Sequence, residues 1–257
     1  MQERGIVTRG GGGVTSCLSV RLHDAVGYYN KHGVYPEFID SSNQFGFYQD
    51  EPGQDISKLI LADYKPDNSI PIVGYDHGWQ FAWYDEIELH KLSPLASMIC
   101  PMSQAVGDKC YQFMSRIDGR TAVLYRGNDK ALDIPRTHYN AMIQMAATSY
   151  QASGCSRFIV QTDEVDFFKF FKEAYPDSIK FNEIPQIKKD PDAFVMPKSH
   201  RADFCINFIS ALRAIATAPQ LLTNTGNTGI WTMLFRGHTK GVWQVHGKNQ
   251  QIRKLNG

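Results

Sequence analysis

The chain has 257 residues, 42% hydrophobic and 21% charged, which is enough to bury a substantial core across about two domains. Lys+Arg 27 against Asp+Glu 26 leaves a net charge of +1, without the basic excess that neutralising a nucleic-acid backbone requires, so no nucleic-acid partner is expected. Five scattered cysteines with no C-x-x-C pair argue against a disulfide framework or a structural zinc site and fit a reducing compartment. Met1 to Arg4 lead straight into Gly5-Ile6-Val7, and no apolar run reaches the ~18 residues of a membrane helix, so a cytoplasmic chain without a membrane span is expected.

The opening predicts a strand at Ile6-Val7-Thr8, a glycine loop at Gly10 to Gly13, and a helix in which Val14, Leu18, Leu22, Ala25, Val26 and Tyr29 share one face. Gly33 is a predicted C-cap, and Val34 to Ile39 the next strand, ending at Asp40. After a polar stretch, Ile70 to Tyr75 predicts a strand, followed by a segment dense in aromatics around His77, Trp79 and Trp83. Leu89 to Met114 is helical in pattern, interrupted by Pro94 and Pro101. A second rhythm begins near Gly119 with a strand at Thr121 to Tyr125 and a polar loop from Arg126 to Ile134. There follow a helix with Pro135 in its first turn, a strand at Arg157 to Gln161, and a helix capped by Asp163 that stops before Pro176. The pattern continues with a strand at Ile179 to Ile184, a charged loop from Ile187 to Arg201, and a helix from Ala202 to Ala216. A strand at Gln220 to Thr223, a short helix over Ile230 to Phe235 and a tail complete it. The expected class is α/β: two Rossmann-like halves, 1–115 and 116–257, facing across a cleft at the carboxyl ends of their strands.

Four loops at predicted strand ends carry the chemistry. Gly11, Gly12 and Gly13 would let backbone amides approach a phosphate at a helix start; without a ligand they are a flexible turn. Gly10 to Gly13 with Asp40 also fits a dinucleotide site, although the strict G-x-G-x-x-G spacing fails. Arg126 and Lys130 flank Gly127 and Asp129, a fork and a point charge able to clamp a diphosphate or to form ordinary ion pairs. Asp163 and Glu164 stand at a strand-to-helix junction, as a cap or as carboxylates for a base or ribose. Asn227 and Thr228 lie on a tight loop of hydroxyls, amides and glycines just before a helix, able to donate to phosphate or simply to cap the helix.

Taken together, Leu124-Tyr125-Arg126-Gly127-Asn128-Asp129-Lys130, Thr162-Asp163-Glu164, the loop Asn224 to Thr228 and the opening Gly10 to Tyr29 resemble the fucosyltransferase-like glycosyltransferases. That group includes the core α1,6-fucosyltransferases, the nodulation fucosyltransferases and the protein O-fucosyltransferases. The resemblance implies a GT-B-like fold and inverting, metal-independent transfer from a nucleotide sugar, GDP-fucose above all, as co-substrate with no other cofactor. It implies that Arg126 and Lys130 bind the donor's diphosphate, that Asp163 and Glu164 lie near the nucleoside, and that Thr228 donates to the diphosphate. Two positions depart from the motif: its histidine is Leu124 and its second arginine is Gly127. The family's carboxylate base aligns with Ile134, which leaves Asp133 beside it as the candidate. His77, Trp79 and Trp83 could stack an acceptor glycan or pack between the halves. The alternatives are a dinucleotide-dependent oxidoreductase and a non-catalytic nucleotide-sugar-binding protein.

Overall fold

The computed structural model describes residues 4–10, 12–127, 136–186 and 200–257. Strand β1 (Gly5–Val7) and strand β2 (Phe38–Asp40) pair in parallel, joined by helix α1 (Val14–His32). Gly33 ends α1 as expected: its φ of 72° is left-handed, and its N–H donates to the Tyr29 carbonyl. A four-residue helix α2 (Ser57–Ile60) interrupts the polar stretch that follows.

Ile70 to Tyr75 is not a strand. It runs irregularly, with the Ile70 carbonyl accepting from the Tyr35 hydroxyl at 3.0 Å. Pro71 lacks an N–H, and no strand among the described residues pairs with the segment, so its apolar side chains pack on the core without a ladder. Pro94 does not break its helix either. It lies inside α3 (Leu89–Ile99), whose buried Leu92, Leu95, Ala96 and Ile99 offset the lost hydrogen bond. The break falls at Pro101, before α4 (Gln104–Ile117), where the Ser103 hydroxyl accepts from Val106 N–H.

The second sheet has the order β4-β3-β5-β6-β7. Strands β3 (Thr121–Tyr125), β4 (Phe158–Thr162), β5 (Gln220–Asn224) and β6 (Val242–Val245) are parallel, and β7 (Ile252–Lys254) closes the edge antiparallel. The last two strands lie where a tail was expected. The expected strand at Ile179 to Ile184 reduces to one bridge, Ile179 beside Ile159, because the chain turns at once through Phe181 to Ile184. Helices α5 (Tyr139–Ser153), α6 (Val165–Ala174), α7 (Arg201–Ala216) and α8 (Asn227–Arg236) cover the sheet. Pro135, expected in the first turn of α5, lies outside the described residues.

The sheet is covered on both faces, as its unbroken apolar strands require. Ala122 and Leu124 point into the larger apolar cluster with α1, α3, α4, α7 and α8. Val123 and Tyr125 point into a smaller one with Met142 and Met145 of α5 and Phe167 and Phe171 of α6. No helix among the described residues is long and apolar enough to cross a membrane.

Candidate functional site

Parallel strands deliver their following loops to one side of the sheet, and α1 and α8 bring their amino ends to the same side. There a cleft with about 950 Å3 of empty space, continuous with solvent, is bordered by Gly13 to Ser16, Arg126, Asp163, Asn227 and Thr228. All four loops singled out above therefore contribute to one cavity.

Each helix enters the cleft bare. Gly13 caps α1 and Gly226 caps α8 without a side-chain hydrogen bond, and neither first turn holds an acid. The first backbone N–H groups of both helices are thus available to an anion, and both dipoles favour one. Gly226 adopts φ 145°, which suits glycine, and is pinned from behind: its N–H donates to Gln80 O at 2.7 Å. Tyr84, fully buried, lies within 3.2 Å of the Gly226 carbonyl, and burial pushes its phenol up. Thr228 is 6% exposed, on the wall.

Arg126 follows β3 immediately. Asn224 fixes its backbone from the neighbouring strand, accepting from its N–H at 3.0 Å and donating to its carbonyl at 2.8 Å. The guanidinium pairs with the Asp163 carboxylate, which also accepts from Gly127 N–H at 3.1 Å. Asp163 is therefore not the cap of α6. That position falls to Glu164, without a side-chain cap, and Asp163 spends its charge on Arg126.

Glu164 does not border the cleft. It is 1% exposed, accepting from the Tyr139 hydroxyl with the Arg136 guanidinium 3.6 Å away. Gly12 is an exposed neighbour of the cleft, while Gly11, Lys130 and Asp133 lie outside the described residues. His77, Trp79 and Trp83 form no part of the cleft wall. The His77 ring packs 5.0 Å from His23 of α1, Trp79 meets Tyr75 edge-on, and Trp83 lies against His246 beneath Arg253. Burial, then the neighbouring His23, lowers the His77 pKa.

The sequence reading missed Tyr48, Phe204 and Phe208 and gave Gln161, at the head of the Asp163 loop, no role of its own; all four are on the wall. Tyr48 and Phe204 stack with rings 15° apart, as do Phe204 and Phe208 at 11°. Cys17, near the start of α1, is held as a thiol: burial pushes it up to about 12, and it donates to Gln44 O. Among the described residues, no group of three or more His, Cys, Asp or Glu could hold a metal ion.

No family model matches the chain, and no curated protein matches it by sequence. Solved structures do match. NodZ α1,6-fucosyltransferase soaked with GDP-fucose superimposes with a TM-score of 0.60 at 11% identity, over 99% of this chain and 100% of that one. The same enzyme co-crystallised with GDP gives 0.61 at 10% identity over 99% of each chain. Fucosyltransferase NodZ from Bradyrhizobium gives 0.58 at 11% over the whole of both.

The chain has the fucosyltransferase fold.

Within that fold the departure at Gly127 has a steric basis. A Cβ there would stand 2.4 Å from Glu164 Oε1 and 2.6 Å from the Tyr125 ring, so a second arginine has no room while Glu164 stays buried. Leu124, in place of the motif's histidine, belongs to the larger apolar cluster.

Proposed function

We propose that the chain is a glycosyltransferase that moves fucose from GDP-fucose to a hydroxyl of a glycan acceptor, inverting and without a metal. The observation that carries this is the convergence of two uncapped helix amino ends and the Arg126 guanidinium on one cleft, in a fold shared with structures soaked or co-crystallised with GDP-fucose or GDP. In this reading residues 116–257 supply most of the donor site and residues 1–115 the acceptor side, with His77, Trp79 and Trp83 facing the acceptor.

The chemistry follows from charge. As the bond between the sugar's anomeric carbon and the diphosphate oxygen lengthens, negative charge gathers on the leaving phosphate. Arg126, the N–H groups at the starts of α1 and α8, and Thr228 border the cleft and would stabilise that charge as it grows. Lys130 is the proposed second cation. The acceptor oxygen bonds to the anomeric carbon from the opposite face, Asp133 takes its proton, and GDP leaves.

The dinucleotide alternative loses support at Asp40. Its carboxylate accepts from Ser42 N–H at 2.9 Å, a bond that holds its pKa down, and it does not border the cleft. Thermal-shift titration with GDP, UDP and NADH, followed by transfer from labelled GDP-fucose to a glycan panel, tests the proposal. GDP binding with transfer is expected. NADH binding in place of GDP favours the oxidoreductase, and GDP binding without transfer or hydrolysis leaves a nucleotide-sugar-binding protein.

A further inference from the structure

Resting on the nucleotide reading above, we propose that Gln161 is the residue that reads the donor's nucleobase. Beside Gln161 the same cleft is lined by Leu124, Ile184 and Pro185 and by Phe204 and Phe208 of α7, an apolar slot. Gln161 lies on β4 directly opposite Leu124, and Arg126, just past the end of β3, is two residues on from Leu124, about 7 Å by strand rise. The slot is apolar and aromatic, suited to the faces of a heterocycle.

Gln161 is 4% exposed, and among the described residues its side-chain amide has no hydrogen-bond partner. Almost every polar side chain buried this far is satisfied by protein or water. Its neighbour Gln186 shows the ordinary pattern, its amide lying 3.5 Å from Thr162 O and 3.4 Å from Glu164 O. The Gln161 amide instead borders the slot, offering one acceptor and two donors to what enters.

A primary amide matches an edge that presents an N–H beside a carbonyl. Guanine fits, its N1–H donating to the amide oxygen and its O6 accepting from the amide nitrogen. Adenine needs the reverse orientation, which an amide untied to the protein can adopt by rotating. The slot therefore demands a heterocycle with a paired edge, and replacement of the amide by a carboxylate would select guanine, whose N1–H and N2–H2 both donate, over adenine, whose N1 repels it.

The test is calorimetric titration of the full chain with GDP, ADP and base-less ribose 5-diphosphate, on wild type, Gln161→Leu, Gln161→Glu and Arg126→Ala. Gln161→Leu is expected to weaken GDP about tenfold or more while leaving ribose 5-diphosphate unchanged. Gln161→Glu is expected to raise the GDP-to-ADP preference at least about tenfold and decides the matter if the leucine variant does not fold. Arg126→Ala is expected to weaken both diphosphates. GDP binding that neither Gln161 variant alters, with the Arg126 effect present, overturns the role of Gln161 and leaves the nucleotide reading standing. Wild-type protein that binds neither GDP nor ribose 5-diphosphate overturns both.

Discussion

Arg126 and Asp163 act as one device at the residue scale. The carboxylate holds the guanidinium at the cleft and, through Gly127 N–H, the backbone beside it. Losing the Arg126 contact to a diphosphate should cost about 1.5–3 kcal/mol, so transfer by Arg126→Ala should fall at least about tenfold. Asp163→Ala should also lower kcat/KM, since it releases the guanidinium, but the double variant should lose little more than Arg126→Ala alone. Additive losses in that cycle would show that Asp163 contacts the donor by itself. Arg126, Gly13 and Thr228 were legible in the sequence because a loop between strand and helix has a fixed place, at the strand's carboxyl end. The role of Gln161 was not, because a glutamine inside an apolar strand reads like any other position until the fold shows it on the cleft wall with no described residue bonding its amide. Phe204 and Phe208 were hidden for a related reason: on a helix, an aromatic facing a ligand has the same spacing as one facing the core.

At the scale of elements, the start of α8 is the most tightly specified piece of the site. A Cβ on Gly229 would stand 2.3 Å from the Tyr84 hydroxyl and 2.8 Å from the Asn224 carbonyl, which is backbone and cannot swing aside. Gly229→Ala should cost about 1–3 kcal/mol in chemical denaturation and weaken GDP binding, by shifting α8 off the strand end. Gly107→Ala, at the end of the first turn of α4 with open space around it, should instead be neutral or gain up to about 0.5–1 kcal/mol. Equal effects at the two positions would mean that α8 has slack. Elements with long periodic patterns, such as α1, α4 and α7, were plain from the sequence. The short strands were misplaced both ways. Ile70 to Tyr75 has strand residues but no partner strand among the described residues, whereas β6 gains its place from neighbours, with buried Gln244 bonding the Tyr84 N–H and the Ala82 carbonyl. Strand formation depends on a neighbour that local composition does not reveal.

Across the whole molecule, the titrating groups set how stability follows pH. Burial depresses His77 and His238, and Arg116 depresses Glu183 through hydrogen bonds at 2.6 and 2.8 Å. In each case the unfolded chain takes up its proton first as pH falls, near 6.5 for the histidines and 4.5 for the glutamate. The stability is therefore complete above those values and is lost as pH drops through them. Asp24, raised by burial, acts in the opposite sense and offsets part of the loss. The melting temperature should be lower at pH 5 than at pH 7.5, and His77→Asn should flatten that difference. Ligand binding acts on the same balance. The cleft takes its walls from the start of α1, the ends of β3 and β4, and the start of α8, so a bound diphosphate ties residues near 15 to residues near 228. At a hundredfold excess over Kd, GDP should add about 2.7 kcal/mol, or roughly 5–10 °C for a chain of this size. Because α1 belongs to residues 1–115 and its amino end meets the ligand, GDP should raise unfolding reported by Trp79 and Trp83 together with that reported by Trp231 and Trp243. Single-tryptophan variants separate these reports. A front transition that stays in place while the rear one rises would mean that the glycine loop does not engage the nucleotide.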